Sequence, residues 1–308
     1  MIKVGNTENF TKKQHYIPQV YLRGFSPDYR NNEDIPYDKY TICCYDTTKM
    51  AQMPVAVPIK SICYSKLLYE VTGADGEIVL QNHLEKCLCA LEKMFGEYRS
   101  RLEHKVFIQD NFKTRCFLTK EENVFWVTFM LVQILRMPDV LNEAESVSKN
   151  FFKDVNDKQA KNIARKFCLP FFEELKEGSK ESALFDAFFK PMSEMSFAVG
   201  VDTSGQLITS DKPVYVYTDI FPCEEYGRII FPISSQICLF MIGGDDKKQY
   251  AKNFLFPIDD ATREEIIKSM TETSSKYIYS NHPLYGTELK YIKEVLKLKK
   301  EASEGAIF

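Results

Sequence analysis

The spacing of apolar residues changes near Phe197, and this change limits the folds that the chain can adopt. Before it, a segment such as 81–97 carries a helical stripe of apolar side chains every three or four positions: Leu84, Leu88, Leu91 and Phe95. After it, runs rich in strand formers lie between Gly, Pro and Asp turns, at 197–201, 206–209, 214–217, 228–231 and 236–242. The pattern predicts an α+β protein, with a central helical segment packed on a C-terminal antiparallel sheet and an N-terminal strand and loop region.

One domain is predicted over residues 1–286, since 308 residues with 44% hydrophobic side chains are enough for a single core. Within it, strands and loops are predicted at 1–80 and helices at 81–190. The antiparallel sheet is predicted at 197–242 and a further helix at 259–280. The sequence Thr-Arg-Glu-Glu at Thr262 matches a capping box and is expected to open that last helix. Residues 287–308 are predicted to form a lysine-rich amphipathic helix and a tail.

The most apolar helix is predicted to end in a charged residue. Ten of the twelve residues in 124–135 are apolar, so the helix is expected to be buried on nearly every side, although it is too short to span a membrane. Arg136 follows it, one turn from Gln133. A buried guanidinium requires an acidic partner or an anion. We therefore predict that Arg136 pairs with a carboxylate or holds an anion, and both readings stay open.

The N-terminal stretch 13–25 combines several groups that are suited to chemistry. It contains His15, Tyr21 and Arg23, and Pro18 is expected to open a short helix there. His15 then precedes the positive end of that helix, where an anionic group is favoured. The alternative is that His15 and Tyr21 are satisfied polar groups of the core.

Four segments resemble a known family. They are the N-terminal H-Y-x-P-x-x-Y-L-x-x-F motif, the Leu- and Glu-containing helix around 83–95, the sequence Gln-Ile-Leu-Arg-Met-Pro at 133–138, and 208–214, which contains Ser-Asp-Lys-Pro. In this order they resemble the bacterial DUF4238 family over about residues 13 to 280. The resemblance implies no agreed biochemical activity.

Two acidic sites are candidates for metal or proton chemistry. Asp211 ends a predicted strand and precedes Lys212 and Pro213, a place where a carboxylate serves as a metal ligand or general base. It is equally open to the role of a turn residue that caps its own backbone. Glu85 and Glu92 lie on one line of a helix, roughly 10 Å apart along its axis, which is long for a shared metal ion. A solvated helix flank is the alternative for that pair.

Together these residues predict a site for phosphodiester chemistry. His15 and Asp211 are the expected catalytic groups, Arg23, Gln133, Arg136 and Tyr21 are expected to bind an anion, and Asp211 with Glu85 is expected to hold a metal ion, with Mg²⁺ as the candidate cofactor. We expect a metal-dependent nuclease or phosphodiesterase that acts in bacterial defence or as a toxin-like effector. The alternative is a non-enzymatic sensor or interaction module that binds an anionic ligand or a protein.

Composition and missing motifs limit the partners and the location. The net charge of −3 gives no general attraction to nucleic acid, so a nucleic acid or phosphate-bearing ligand would need a local patch. There is no P-loop, GxGxxG, GxSxG, HExxH or C-x-x-C sequence. Nine cysteines in an odd count indicate free thiols, and the N-terminus has no apolar signal segment. We expect a cytoplasmic protein with no membrane contact and with a protein partner from the same defence system.

Overall fold

A computed structural model describes residues 11–29, 35–49, 53–71, 78, 81–108, 117–152, 154–169, 183–217, 227–243 and 254–305. Its helices are α1 (Gln19–Arg23), α2 (His83–Ile108), α3 (Lys120–Leu135), α4 (Pro138–Phe151), α5 (Asp157–Cys168), α6 (Ala183–Glu194), α7 (Asp260–Thr273) and α8 (Gly286–Gly305). Its strands are β1 (Lys13–His15), β2 (Thr41–Asp46), β3 (Val55–Pro58), β4 (Tyr64–Lys66), β5 (Ser196–Val201), β6 (Thr209–Ser210), β7 (Tyr215–Tyr217), β8 (Arg228–Pro232), β9 (Ile237–Ile242), β10 (Phe254–Pro257) and β11 (Tyr277–Ser280). The predicted α+β class is confirmed.

A five-stranded sheet forms the C-terminal half of the core, in the order β10-β5-β9-β8-β7. Its pairs are antiparallel except for β10 and β5, which run parallel. Every residue of β5 and β9 is buried. Strands that are covered on both faces read as continuous apolar runs, which is why the sequence signal was strong here.

The two faces of this sheet belong to two different apolar clusters. Phe197, Val199 and Leu239 face the larger cluster, which contains the buried side chains of α1, α2 and α3. Their neighbours Ala198 and Phe240 face the second cluster, with α7, α8 and β11. The alternation follows from the two-residue period of a strand. The central helices therefore pack on one face of the sheet, and the C-terminal helices cover the other.

The predicted strand at 206–209 lies in a different sheet from the one expected. Only Thr209–Ser210 form a strand there, and this β6 pairs with β11 in a four-stranded antiparallel sheet of order β3-β2-β11-β6. The sheet predicted over 197–242 was therefore wrong at this point. β6 pairs with β11 at 277–280, and the other strands of this sheet come from residues 41–58. Such long-range pairing leaves no local sequence signal.

The helix predicted over 259–280 is shorter than expected. It ends at Thr273, and Tyr277–Ser280 form β11, whose aromatic and β-branched residues favour a strand. The N-cap is Asp259, whose carboxylate accepts from the Thr262 N–H at 2.8 Å. The capping box predicted at Thr262 is therefore wrong by one turn, because an acidic side chain upstream takes that role.

Two of the other helices, α3 and α4, begin at residues that favour a helix start. Thr119 and Glu122 form the reciprocal capping box of α3, and Pro138 occupies the first turn of α4. Within the described ranges, no single helix is long and apolar enough to span a membrane. The bent pair α3 and α4 passes the test of length and composition only when taken together, across a bend of 65°. The predicted domain limits, 1–286 and 287–308, stay a prediction.

Candidate functional site

Two side chains at the end of α3 donate hydrogen bonds to the backbone carbonyls of His15 and Tyr16. Gln133 donates from Nε2 to the Tyr16 carbonyl at 2.8 Å, and Arg136 donates from Nη2 to the His15 carbonyl. Both side chains are almost fully buried, at 2% and 1% exposure. On the other edge, Tyr16 N–H donates to the Cys63 carbonyl at 2.9 Å, beside the β1–β4 pairing. The N-terminal motif and the segment after the apolar helix therefore meet, as the sequence suggested.

Arg136 is the centre of a buried ion-pair network. Its Nη1 lies 2.9 Å from Glu92 Oε1, and its Nε donates to the Tyr69 hydroxyl at 3.1 Å. Burial works against the charged form, but Tyr69 and Glu92 raise the pKa of Arg136 above its ordinary value. The prediction of a carboxylate partner is confirmed. All three nitrogens of the guanidinium donate to protein acceptors, so its predicted role in binding an external anion stays a prediction.

Tyr21 and Arg23 lie in contrasting surroundings. The Tyr21 hydroxyl donates to the Pro232 carbonyl at 2.7 Å and lies 2.7 Å from Thr209 Oγ1, inside the aromatic core. Arg23 is half-buried, with its Cζ 4.3 Å from the ring centroid of Tyr37. Among the described residues no carboxylate forms an ion pair with it. Of these two predicted anion-binding residues, Arg23 is the charged one, and it has no carboxylate partner within the described ranges.

Asp211 holds the turn between α7 and β11. Its Oδ1 accepts from the Ser275 N–H at 2.8 Å, and its Oδ2 accepts from the N–H groups of Lys276 at 2.8 Å and Tyr277 at 3.1 Å. Burial raises the pKa of Asp211, and these three N–H groups oppose the shift. Among the described residues there is no group of three or more His, Cys, Asp or Glu side chains that would hold a metal ion. Metal binding by Asp211 and Glu85 stays a prediction.

One ring nitrogen of His15 has no hydrogen-bond partner among the described residues. Burial lowers the pKa of His15, the charges of Arg136 and Lys13 lower it further, and a backbone hydrogen bond with Lys60 opposes the shift. Its Nε2 is buried and has no hydrogen-bond partner among the described residues. The ring is therefore neutral near pH 7. No hydrogen bond joins it to Asp211 in the part of the chain that is described.

Glu85 lies on α2 beside the Arg136 network. Burial, together with the negative charge of Glu92 and against the opposing charge of Arg136, raises the pKa of Glu85 from 4.5 to about 7. Its Oε2 is buried without a partner among the described residues. Glu85 and Glu92 therefore lie on the same side of α2, as the helical spacing predicted. Only Glu92 forms an ion pair with the Arg136 guanidinium.

A thiol and two phenols form a cluster that sequence reasoning missed. Cys63 Sγ lies 3.1 Å from the Tyr279 hydroxyl and also forms a hydrogen bond with the side chain of Tyr16. Cys63 has φ of 54°, which is uncommon for a residue with a side chain. Burial raises the pKa of its thiol, and the charge of Asp211 adds to that shift. The signal was not in the local sequence, because Cys63 and Tyr279 are 216 positions apart.

A cavity of about 200 Å³ lies where two of the predicted motif segments meet. It is lined by Gln133 and the start of α4 on one side and by Lys212, Pro213, Val214 and Val216 on the other. Lys212 Nζ lies 2.5 Å from Asp139 Oδ2, and both residues line the cavity. The Gln133 amide must direct its NH₂ toward the Tyr16 carbonyl. Its Oε1 is then a buried acceptor without a described partner, in a side chain that lines this cavity.

We predict that Arg136→Met lowers the free energy of unfolding by about 3–5 kcal/mol, because Glu92 and the His15 carbonyl lose their donor inside the protein. Denaturant unfolding measures this. Arg101→Met, at an exposed position of the neighbouring helix, is the matched control and should change stability by about 0.5 kcal/mol or less. The double variant Arg136→Met/Glu92→Gln should recover part of the loss. Equal stability of Arg136→Met and the control Arg101→Met would contradict the network described above.

We predict that Glu85→Gln removes a pH dependence of stability. The pKa of Glu85 is raised in the folded state, so its protonation stabilises the fold below the unfolded value of 4.5, and this contribution is lost as pH rises through about 7. The variant should therefore gain stability relative to the natural chain between about pH 5 and pH 8. Unfolding curves at both pH values measure the difference. Glu97→Gln, at an exposed position of α2, should show no such trend; the same trend in both variants would show that burial at Glu85 is not its cause.

Comparison with known proteins identifies one family. Residues 13–283 match the model of a family described as "Protein of unknown function (DUF4238)". No curated protein and no solved structure matches the chain. The match covers most of the 308 residues and includes His15, Gln133, Arg136 and Asp211. The chain belongs to the DUF4238 family.

Proposed function

We propose that this chain is a non-enzymatic binding module whose ligand enters the cavity between α3–α4 and residues 212–216. The observation that carries the proposal is the Oε1 atom of Gln133, a buried acceptor without a described partner in a side chain that lines this cavity. Buried polar atoms are paired in the great majority of cases, and an exception calls for an explanation. A ligand that donates a hydrogen bond to this oxygen supplies one.

The lining favours a small anionic ligand. A volume of about 200 Å³ lies below the range of drug-sized sites, so the ligand is small or only part of it enters. The walls are largely apolar, formed by Ile134, Met137, Val140, Pro213, Val214 and Val216. Lys212 supplies the cation, and Asp139, whose side chain is half exposed, is the group that an incoming carboxylate or phosphate replaces. Replacing it costs little, since exposed ion pairs contribute only about 0–1 kcal/mol.

A second function, a metal-dependent nuclease or phosphodiesterase, is favoured by one observation. His15 has a buried Nε2 without a described partner and a pKa lowered by burial, which suits a neutral general base. In this second proposal Asp211 and Glu85 hold Mg²⁺, Arg23 meets the phosphate, and the protein acts in antiphage defence or as a toxin-like effector. It ranks below the binding proposal, because the carboxylate oxygens of Asp211 accept three backbone N–H groups.

We also propose a cytoplasmic location, because no disulfide joins the seven cysteines of the described residues, as expected in a reducing compartment. A protein partner from the same defence system, or a nucleic acid that presents a phosphate, remains part of the proposal. Either would present the acidic group that Lys212 is suited to meet.

We expect small acidic molecules that carry a hydrogen-bond donor to bind at Lys212. With O-phosphoserine and inorganic phosphate as probes, calorimetry should detect binding of the first and weaker binding of the second, which lacks the ammonium donor. Lys212→Met should raise the Kd about tenfold, the loss of one charge-assisted hydrogen bond. Lys297→Met, at an exposed position of α8, is the matched control and should leave the Kd unchanged. Absence of binding for both probes, or equal Kd for the two variants, would contradict the proposed site.

A cleavage assay separates the two proposed functions. With Mg²⁺ and single-stranded DNA or RNA, the binding module should show no cleavage. We expect His15→Ala to keep its melting temperature within a few degrees, and Asp211→Ala to lose about 2–3 kcal/mol of stability because its three N–H partners lose their acceptor. Cleavage by the natural chain that is lost in folded His15→Ala would establish the nuclease instead.

A further inference from the structure

We propose a second binding site, for a small organic ammonium ion, in the cavity between strand β7 and helix α7. β7 is the edge strand of the five-stranded sheet, and the cavity beside it has a volume of about 740 Å³. This lies in the range of small-molecule sites. The cavity shares no lining residue with the cavity of the proposed function, so the two sites are independent.

The charges of the lining leave one carboxylate over. Lys268 Nζ lies 2.5 Å from Glu264 Oε1, and Arg228 is paired with Glu265. Glu272 instead accepts from a neutral donor, the Tyr215 hydroxyl, at 3.1 Å. Among the described residues no basic side chain is paired with the carboxylate of Glu272; Lys299 donates to its backbone carbonyl. The lining therefore carries three carboxylates and two basic groups.

This charge distribution favours one sign of the ligand. The basic groups Lys268 and Arg228 are already paired, with Glu264 and Glu265, whereas Glu272 has no basic partner among the described residues. A cation meets Glu272 without breaking either pair. Opposite charges near a protein surface attract each other, and solvent screening reduces this attraction. The cavity therefore favours a single positive charge.

Two aromatic rings beside Glu272 indicate an organic cation rather than a metal ion. Tyr215 and Tyr217 are two positions apart on β7, so they share one face of the strand. Their ring centroids are 6.5 Å apart with an angle of 25° between the planes, and Tyr217 is 64% exposed. The faces of such rings attract ammonium groups. A metal ion would require several oxygen or nitrogen ligands, and the described residues provide no group of three acidic, His or Cys side chains placed for one.

Binding of two ammonium probes and a neutral isostere tests the site. Choline and butylammonium are titrated into the full chain by calorimetry or ligand-observed NMR, and 3,3-dimethylbutan-1-ol serves as the uncharged isostere of choline. We expect both ammonium probes to bind and the neutral alcohol to bind weakly or not at all. Glu272→Gln keeps an acceptor for Tyr215 and removes the charge, and it should weaken binding up to about fivefold. Tyr217→Leu should weaken it about twofold to fivefold.

Matched variants keep the test specific. Glu301→Gln and Tyr285→Leu change exposed residues of the same types elsewhere and should leave the affinity unchanged. Both site variants change exposed side chains, and their melting temperatures report whether they fold. Equal binding of choline and its neutral isostere, unchanged affinity in both site variants, or no binding of either ammonium probe would each overturn the proposal. Loss of phosphoserine binding in Lys212→Met bears only on the other cavity.

Discussion

The burial of the Arg136 guanidinium is the constraint on which the central part of the fold depends. A charge removed from water is expensive unless each polar group around it is paired. Here the pairing comes from three separate parts of the chain: Glu92 on α2, Tyr69 before it, and the His15 carbonyl at the end of β1. The packing at the end of the apolar helix α3 therefore depends on the N-terminal strand β1. A contact across 121 positions fixes the start of the family motif.

A second guanidinium holds the rest of that motif. Arg99 on α2 donates from Nη1 to the carbonyls of Val20 and Tyr21, at 2.9 and 3.3 Å. Gly24 follows, and a Cβ there would lie 2.7 Å from the same nitrogen and 2.9 Å from the Ile233 carbonyl. Only glycine fits so close an approach. Tyr21 of the motif and the neighbouring Gly24 are thus explained largely by packing, which is the alternative that the sequence left open for Tyr21.

The sequence was most informative where one element carries its own signal. The continuous apolar runs of β5 and β9 are local, and these strands were predicted correctly. Strand β11 was predicted as helix, since its strand character depends on β2 and β6, which lie far away in sequence. The same limit applies to the site. A carboxylate residue such as Asp211 can be recognised, but its three backbone donors at 275–277 cannot, because no residue type marks them.

In Gln133 and His15, one atom has a structural role while another polar atom of the same residue has no described partner. The Gln133 amide nitrogen fixes the Tyr16 carbonyl, whereas its oxygen has no described partner. The His15 carbonyl receives Arg136, whereas Nε2 of its ring is unpartnered in the described residues. A residue that holds the fold with one atom keeps the other in a fixed position, which reduces the entropy cost of binding a ligand. The choice between a core polar group and a site residue is therefore not exclusive here, and a variant has to remove one atom's interaction while preserving the other.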